Sequence, residues 1–256
     1  LEEALALQRP VVADEPDSMA ARRSLMAVLL DLSRVRRTRG DLPGAREGFD
    51  EAAALGRFLA AEDPTNIVVL SDLAIVLGGQ ADAKREAGDL RGSLALFEEM
   101  SELQRAIVTQ DPGASRERAR LATTLTNVGE VCEAVGDIER ASAAFTEALD
   151  VYHALATLDP TDVVVRRHVA RAGARWGDMA FKRGDVTASI AAFDSSLAIR
   201  RDLLAREPTS FDAGYDLARA LLRVREVRAE RAGVDAGLPA WEEAAVLARG
   251  LVARED

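Results

Sequence analysis

Gly136-Asp137-Ile138-Glu139-Arg140-Ala141-Ser142-Ala143-Ala144-Phe145-Thr146-Glu147-Ala148 is one copy of a pattern that the chain writes several times. Forty-eight residues earlier Gly88-Asp89-Leu90 leads to Phe97, and 48 earlier again Gly40-Asp41-Leu42 leads to Ala45, Phe49 and Ala52. Forty-eight residues later Gly184-Asp185-Val186 leads to Phe193. A second marker keeps the same interval: Glu15-Pro16, Asp63-Pro64, Asp111-Pro112, Asp159-Pro160 and Glu207-Pro208. Self-similarity at a fixed period marks stacked units, each too small to bury its apolar face alone. The register needs no insertion: Leu1-Glu2-Glu3-Ala4 aligns with Phe49-Asp50-Glu51-Ala52, and Leu251-Val252-Ala253-Arg254-Glu255 with Leu203-Leu204-Ala205-Arg206-Glu207. The expectation is one solenoid domain over 1–256, a half repeat 1–16 and repeats 17–64, 65–112, 113–160, 161–208 and 209–256, cut from a longer array.

Each unit reads as two helices. The first, about 17–38, recurs near 65–86, 113–134, 161–182 and 209–230, with Leu25, Leu29 and Leu32 at the three-and-four spacing of an amphipathic helix. The column Leu25, Leu73, Leu121, Val169, Leu217 is apolar throughout. The second runs near 42–61, 90–109, 138–157, 186–205 and 234–253, with Phe49, Ala52, Leu55 and Leu59 on one side. Gly40, Gly88, Gly136 and Gly184 suit the left-handed conformation that ends a helix, and the Asp after each caps the next. At the other turn Pro removes its predecessor from helical geometry, and Thr65, Thr161 and Thr209 are the expected caps. The last unit reads Ala232-Gly233 where Gly-Asp is expected, a degraded turn.

Bulk properties narrow the function. Apolar content is 48%, mostly Ala, Leu and Val, with aromatics at 4%, which suits closely packed helices better than sheets. A net charge of -10 argues against a general nucleic-acid binder and against adsorption to anionic membranes. The single cysteine, Cys132, excludes an internal disulfide framework and cannot alone build a zinc site. No apolar run reaches the ~18 residues of a membrane span. These features lead us to expect a cytoplasmic protein.

The inventory for catalysis is thin, and we expect neither enzyme activity nor a cofactor or metal. His153 stands in a column otherwise filled by Arg9, Arg57, Arg105, Arg201 and Arg249, a basic surface position. His168 lies among charged residues early in a first helix, and Cys132 reads as a small packing residue. Glu3, Glu51, Glu99, Glu147 and Glu243 recur six residues before the Arg column on the same helices, as expected of solvated faces with modest ion pairs.

The segment from Gly136 to Ala148 resembles the tetratricopeptide repeat (TPR) family, in which a turn glycine precedes a second helix carrying Ala, an aromatic four later and Ala three after that. Ala45-Phe49-Ala52 and Ala141-Phe145-Ala148 match fully, Ser93-Phe97-Met100 and Ser189-Phe193-Ser196 more loosely. The family's small first-helix residue is Ser33, Ala81, Gly129 and Gly177. The usual unit is ~34 residues; here the turn-to-aromatic spacing is kept, so the additional length falls at the outer helix ends, as in long-helix variants familiar from bacterial proteins. The resemblance implies an all-α fold, a right-handed superhelical α-solenoid of antiparallel helix-turn-helix repeats. It also implies a non-catalytic scaffold that holds a protein or peptide segment in a concave groove lined by the first helices. The alternative is a regulatory or sensor module acting on a kinase, protease or similar catalytic domain of the same longer polypeptide.

Transferring the family's groove offsets gives the columns Arg34, Asp82, Glu130, Asp178, Glu226; Ala27, Ile75, Thr123, Arg171, Arg219; and Asp31, Gly79, Asn127, Arg175, Arg223. Arg171, Arg175, Arg219 and Arg223 with Asn127 form a candidate basic end, and Asp82, Glu130 and Asp178 the acidic contacts. Arg171 and Arg175 are four apart on one helical face. With Asn127 they resemble part of the clamp by which some family members hold a peptide's terminal carboxylates, a task suited to guanidinium geometry. The clamp's other basic residue and asparagine would fall at Gly78 and Asp82, so the match is incomplete.

Overall fold

In the computed structural model residues 1–252 are described, and among them there are eleven helices and no strand. The first helices are α2 (Met19–Thr38), α4 (Ile67–Glu86), α6 (Ser115–Ala134), α8 (Val163–Lys182) and α10 (Phe211–Ala232). The second helices are α1 (Glu2–Asp14), α3 (Leu42–Glu62), α5 (Leu90–Gln110), α7 (Ile138–Leu158), α9 (Val186–Arg206) and α11 (Val234–Val252). The expected match of Ala253, Arg254 and Glu255 to the preceding unit lies outside the described residues.

The chain forms two compact units, Leu1–Val135 and the part from Gly136 onward. In each, a helix packs on the ones before and after it in sequence, the arrangement of a helical repeat solenoid. The column Leu25, Leu73, Leu121, Val169 and Leu217 is buried at every member, as are Phe49, Phe97, Phe145 and Phe193. The small first-helix position is explained by the aromatic column: a Cβ on Gly177 would lie 3.4 Å from the Phe193 ring and 3.2 Å from the Ala192 Cβ. Cys132 is buried.

The inner turns form as the sequence implies. Gly40, Gly88, Gly136 and Gly184 have φ between +82° and +86°. Asp41, Asp89, Asp137 and Asp185 accept from the backbone N–H of Gly44, Gly92, Arg140 and Ala188, so each starts a second helix. In the last unit Gly233, one residue later, takes the positive φ of +88° and α11 begins directly after it.

The outer turns correct an expectation. The caps are not the threonines but the residue after them: Ser18, Asn66, Asp162 and Ser210 cap first helices, while Ala114 makes no side-chain cap bond. The physical reason is that Thr65 and Thr161 are held in the preceding turn, their side chains directed to the Asp before the proline. The amide and hydroxyl of Thr65 both donate to the Asp63 carboxylate at 3.1 and 2.8 Å, and those of Thr161 to Asp159 at 2.8 and 2.6 Å. These bonds make a local turn around each Asp-Pro, and they hold the carboxyls of Asp63 and Asp159 below their ordinary range. The helix starts only once that turn is complete.

Candidate functional site

In the first unit α2 and α4 lie side by side, tied by Arg23 Nε to Asp72 Oδ2 at 2.6 Å. Asp82 on α4 accepts from Arg85 at 2.8 Å and lies 3.7 Å from the Arg37 guanidinium of α2. Arg85 in turn lies 4.0 Å from Glu130 on α6. The acidic candidates Asp82 and Glu130 thus face arginines one turn along the helices, and this first-helix face is close to charge-balanced.

Asp82 and Asn127 line one cavity of about 290 Å³, whose floor includes Gly78, Gly79 and Phe97. Gln104 of α5 reaches it as well, 1% exposed, and its Oε1 has no hydrogen-bond partner among the described residues. A buried carbonyl oxygen without a donor is costly and marks a place where a ligand N–H or a water can bind. The groove offsets, drawn from first helices alone, missed Gln104. Its signal was an amide on the apolar side of α5, seven residues after Phe97.

In the second unit Arg171, Arg175 and Asp178 follow one another along α8, and Arg219, Arg223 and Glu226 along α10. Arg171 is exposed and Arg175 half-buried. Arg223 donates through Nε to Asp178 at 2.6 Å and through Nη1 to Glu226 at 2.8 Å, and its guanidinium lies 5.2 Å from the Phe181 ring centroid. Arg219 lies 5.7 Å from the Tyr215 centroid, and Tyr215 stacks on Phe211 at 6.2 Å. Of the four candidate arginines, Arg223 therefore serves as a bridge between α8 and α10. Asn127 belongs to the first unit and Arg171 and Arg175 to the second.

The recurring Arg and Glu columns form exposed ion pairs between successive second helices. Arg9 bonds Glu51 at 2.6 Å, Arg57 grips both oxygens of Glu99 at 2.7 Å, and Arg201 both oxygens of Glu243 at 2.8 and 2.5 Å. Each arginine thus reaches the next second helix, 42 residues ahead. The hydrogen bond to Glu99 raises the Arg57 pKa, and Glu243 does the same for Arg201. Where His153 replaces the arginine, Ser195 replaces its acidic partner, so both halves of the pair are lost together. The three pairs are largely solvent-exposed and contribute ~0–1 kcal/mol each.

His153 is exposed, whereas His168 is half-buried and stacks on Tyr152 with ring centroids 4.9 Å apart and planes 5° apart. Burial lowers the His168 pKa, Arg171 adds to the shift, and Asp162 opposes it. A histidine whose folded-state pKa lies below its unfolded 6.5 binds protons more readily when the chain is unfolded. Its stabilising contribution is complete above that value, declines as the pH falls below it, and levels off under the folded-state pKa. We expect His168→Phe, which keeps the stack, to flatten the decline in melting temperature as the pH falls below about 6.5. Calorimetry of both proteins across that window checks it. Among the described residues no group of three or more His, Cys, Asp or Glu side chains is placed to hold a metal ion, and no helix is long and apolar enough to cross a membrane.

No protein-family model and no curated protein matches the chain. Solved structures do. BtubC (BKLC) from P. vanneervenii is similar with a TM-score of 0.70 at 16% identity, over 98% of this chain and 89% of that one. A putative kinesin light chain from Podosopora anserina, with nearly identical TPR-like repeats, is similar with a TM-score of 0.57 at 16% identity, over 88% of this chain and 95% of that one. The helix-pair architecture, the buried aromatic column and these similarities agree: the chain has the fold of the tetratricopeptide-repeat solenoids.

Proposed function

We propose that the chain is a non-catalytic protein-interaction scaffold, and that the faces built by its first helices receive an extended or helical segment of a partner protein. The observation that carries this reading is the first unit's cavity. It is lined by Asn127 and Asp82, and the buried Gln104 Oε1 is left there without a donor. A peptide backbone N–H is the donor such an oxygen accepts from, and rows of mixed charge on α2, α4 and α6 supply contacts for polar side chains. In the second unit Arg171 and Arg175 on α8 are the basic contacts, flanked by the Arg223–Asp178 bridge. The 48-residue units beginning at 17, 65, 113, 161 and 209 are the repeats of this scaffold.

Pull-down from the native host's lysate tests the proposal, with wild type, Arg171→Glu with Arg175→Glu, and Gln104→Leu compared by mass spectrometry. A partner held by wild type and lost by variants of wild-type helicity and melting temperature supports the reading and places the contact at the Gln104 cavity or at Arg171 and Arg175, according to which variant fails. Equal capture by all three moves the contact to another surface.

A further inference from the structure

Between α9, α10 and α11 of the second unit lies a cleft of about 490 Å³. Its walls are apolar, with Leu204, Leu217, Val246, Leu247 and Leu251 among them, and one side is open to solvent. Gly214 on α10 and Gly250 on α11 complete the lining. A Cβ added at Gly214 would lie 3.0 Å from the Leu251 side chain, whereas one at Gly250 would meet nothing within 4 Å among the described residues, so the open part of the cleft lies on the Gly250 side.

The internal repeat shows what these two positions hold elsewhere. Steps of 48 residues back from Gly214 reach Arg166, Arg118, Leu70 and Arg22; from Gly250 they reach Asp202, Ala154, Ala106 and Phe58. In the first repeat Arg22 extends from α2 to the Pro16 carbonyl, donating at 3.0 and 2.6 Å, and its guanidinium covers the Phe58 ring 4.2 Å from the centroid. Pro16 is the counterpart of Pro208, which lines the cleft. In the second repeat Leu70 is itself buried at 4% exposure. In the fourth, Arg166 donates to Asp202 at 2.6 Å and holds that carboxyl below its ordinary range. The fifth repeat has lost both partners at once, although glycine inside a helix weakens it.

We propose that this cleft is a binding site for an aromatic side chain carried by a partner protein, its ring lying beside the repeat position that Phe58 fills in the first repeat. The rim is charge-neutral, because Arg201 and Glu243 pair across it, so the guest is a neutral ring. The volume lies within the ~300–1,000 Å³ of ligand pockets. Its open side would leave a free small molecule poorly covered, whereas a ring delivered on a polypeptide gains further contacts outside the cleft.

Phage-displayed random peptides panned on the whole chain test this, with Gly250→Phe as the counter-target. That substitution places at Gly250 the residue found at Phe58, and its melting temperature reports whether it is folded. Selected peptides are expected to contain Phe, Tyr or Trp, to lose binding when that residue becomes Ala, and to bind Gly250→Phe at least about tenfold more weakly. Gly250→Ala leaves most of the cleft open and keeps the affinity within about twofold. Arg171→Glu with Arg175→Glu leaves it unchanged, which separates this site from the first-helix faces. The proposal is overturned if the peptides bind Gly250→Phe as well as wild type, if they survive loss of the aromatic residue, or if no cleft-dependent peptide emerges. Indole shifting the methyl resonances of Leu247 and Leu251 at concentrations as low as the best peptide would overturn the assignment to a polypeptide-borne ring.

Discussion

Phe193→Ala lowers the stability of the second unit by about 3–5 kcal/mol, the range for truncating a fully buried aromatic. Phe193 is 2% exposed and packs in one cluster with Leu197, Leu217, Leu221, Val224, Val227, Ala240 and Ala244, from α9, α10 and α11. Behind it stands Gly177, whose missing side chain is what lets α8 approach the ring to 3.4 Å from the ideal Cβ position. Collapse around the void is limited because both walls are helices already in contact. A repeat array transmits such damage only to neighbours, so its location matters as much as its size. Hydrogen exchange should accelerate in α8, α9, α10 and α11 and stay near wild type in α2, α3 and α4. Equal acceleration in both units would show that the chain unfolds as one cooperative block, contrary to this expectation.

The same locality explains which features could be read from the residues. A column such as Leu25, Leu73, Leu121, Val169, Leu217 is legible because each unit meets an identical environment, and every member is buried. The Gly-Asp turns are legible because their chemistry is local: one positive φ and one carboxylate three residues from its donor. Features that join units were harder to see. Arg57 and Glu51 share a helix, yet Arg57 reaches Glu99 instead, because the side chains that meet across a stack belong to successive second helices. A reading within one unit cannot distinguish these partners, but the joint replacement by His153 and Ser195 encodes the choice. The caps failed differently. Thr65 and Asn66 are both competent, and only the Asp63 turn, which holds the Thr65 backbone and side chain against the Asp63 carboxylate, decides between them. Among the site candidates the first-helix columns located Asp82, Glu130, Asp178 and Arg223 on facing helices, but not that Arg223 and Asp178 bond to each other. Nor could they reveal Gln104, which comes from a second helix.

Glycines supply the sharpest contrast in stability, because the repeat uses them for opposite reasons. Gly79 in α4 has the Phe49 ring against it: an ideal Cβ would lie 2.5, 3.0 and 3.2 Å from three ring carbons, and Phe49 is 0% exposed. The ring presents its edge rather than a flexible tip and has no free space to enter. Gly79→Val therefore forces α4 away from α3. The overpacking costs about 1–3 kcal/mol, and the relief of ~1 kcal/mol from removing a mid-helix glycine offsets only part of it. For valine, whose branch lies at the clashing atom, we expect a net loss toward the upper end of the difference, about 1–2 kcal/mol. Gly250 in α11 has nothing within 4 Å of its ideal Cβ among the described residues. There Gly250→Ala keeps only the helix term and should gain about 0.5–1 kcal/mol. Urea titration of the two variants followed by helicity should move the midpoints in opposite directions. If both move down, α11 needs glycine for a contact beyond those of the isolated chain; if both move up, the Phe49 ring yields and the packing of α3 on α4 is looser than its burial indicates.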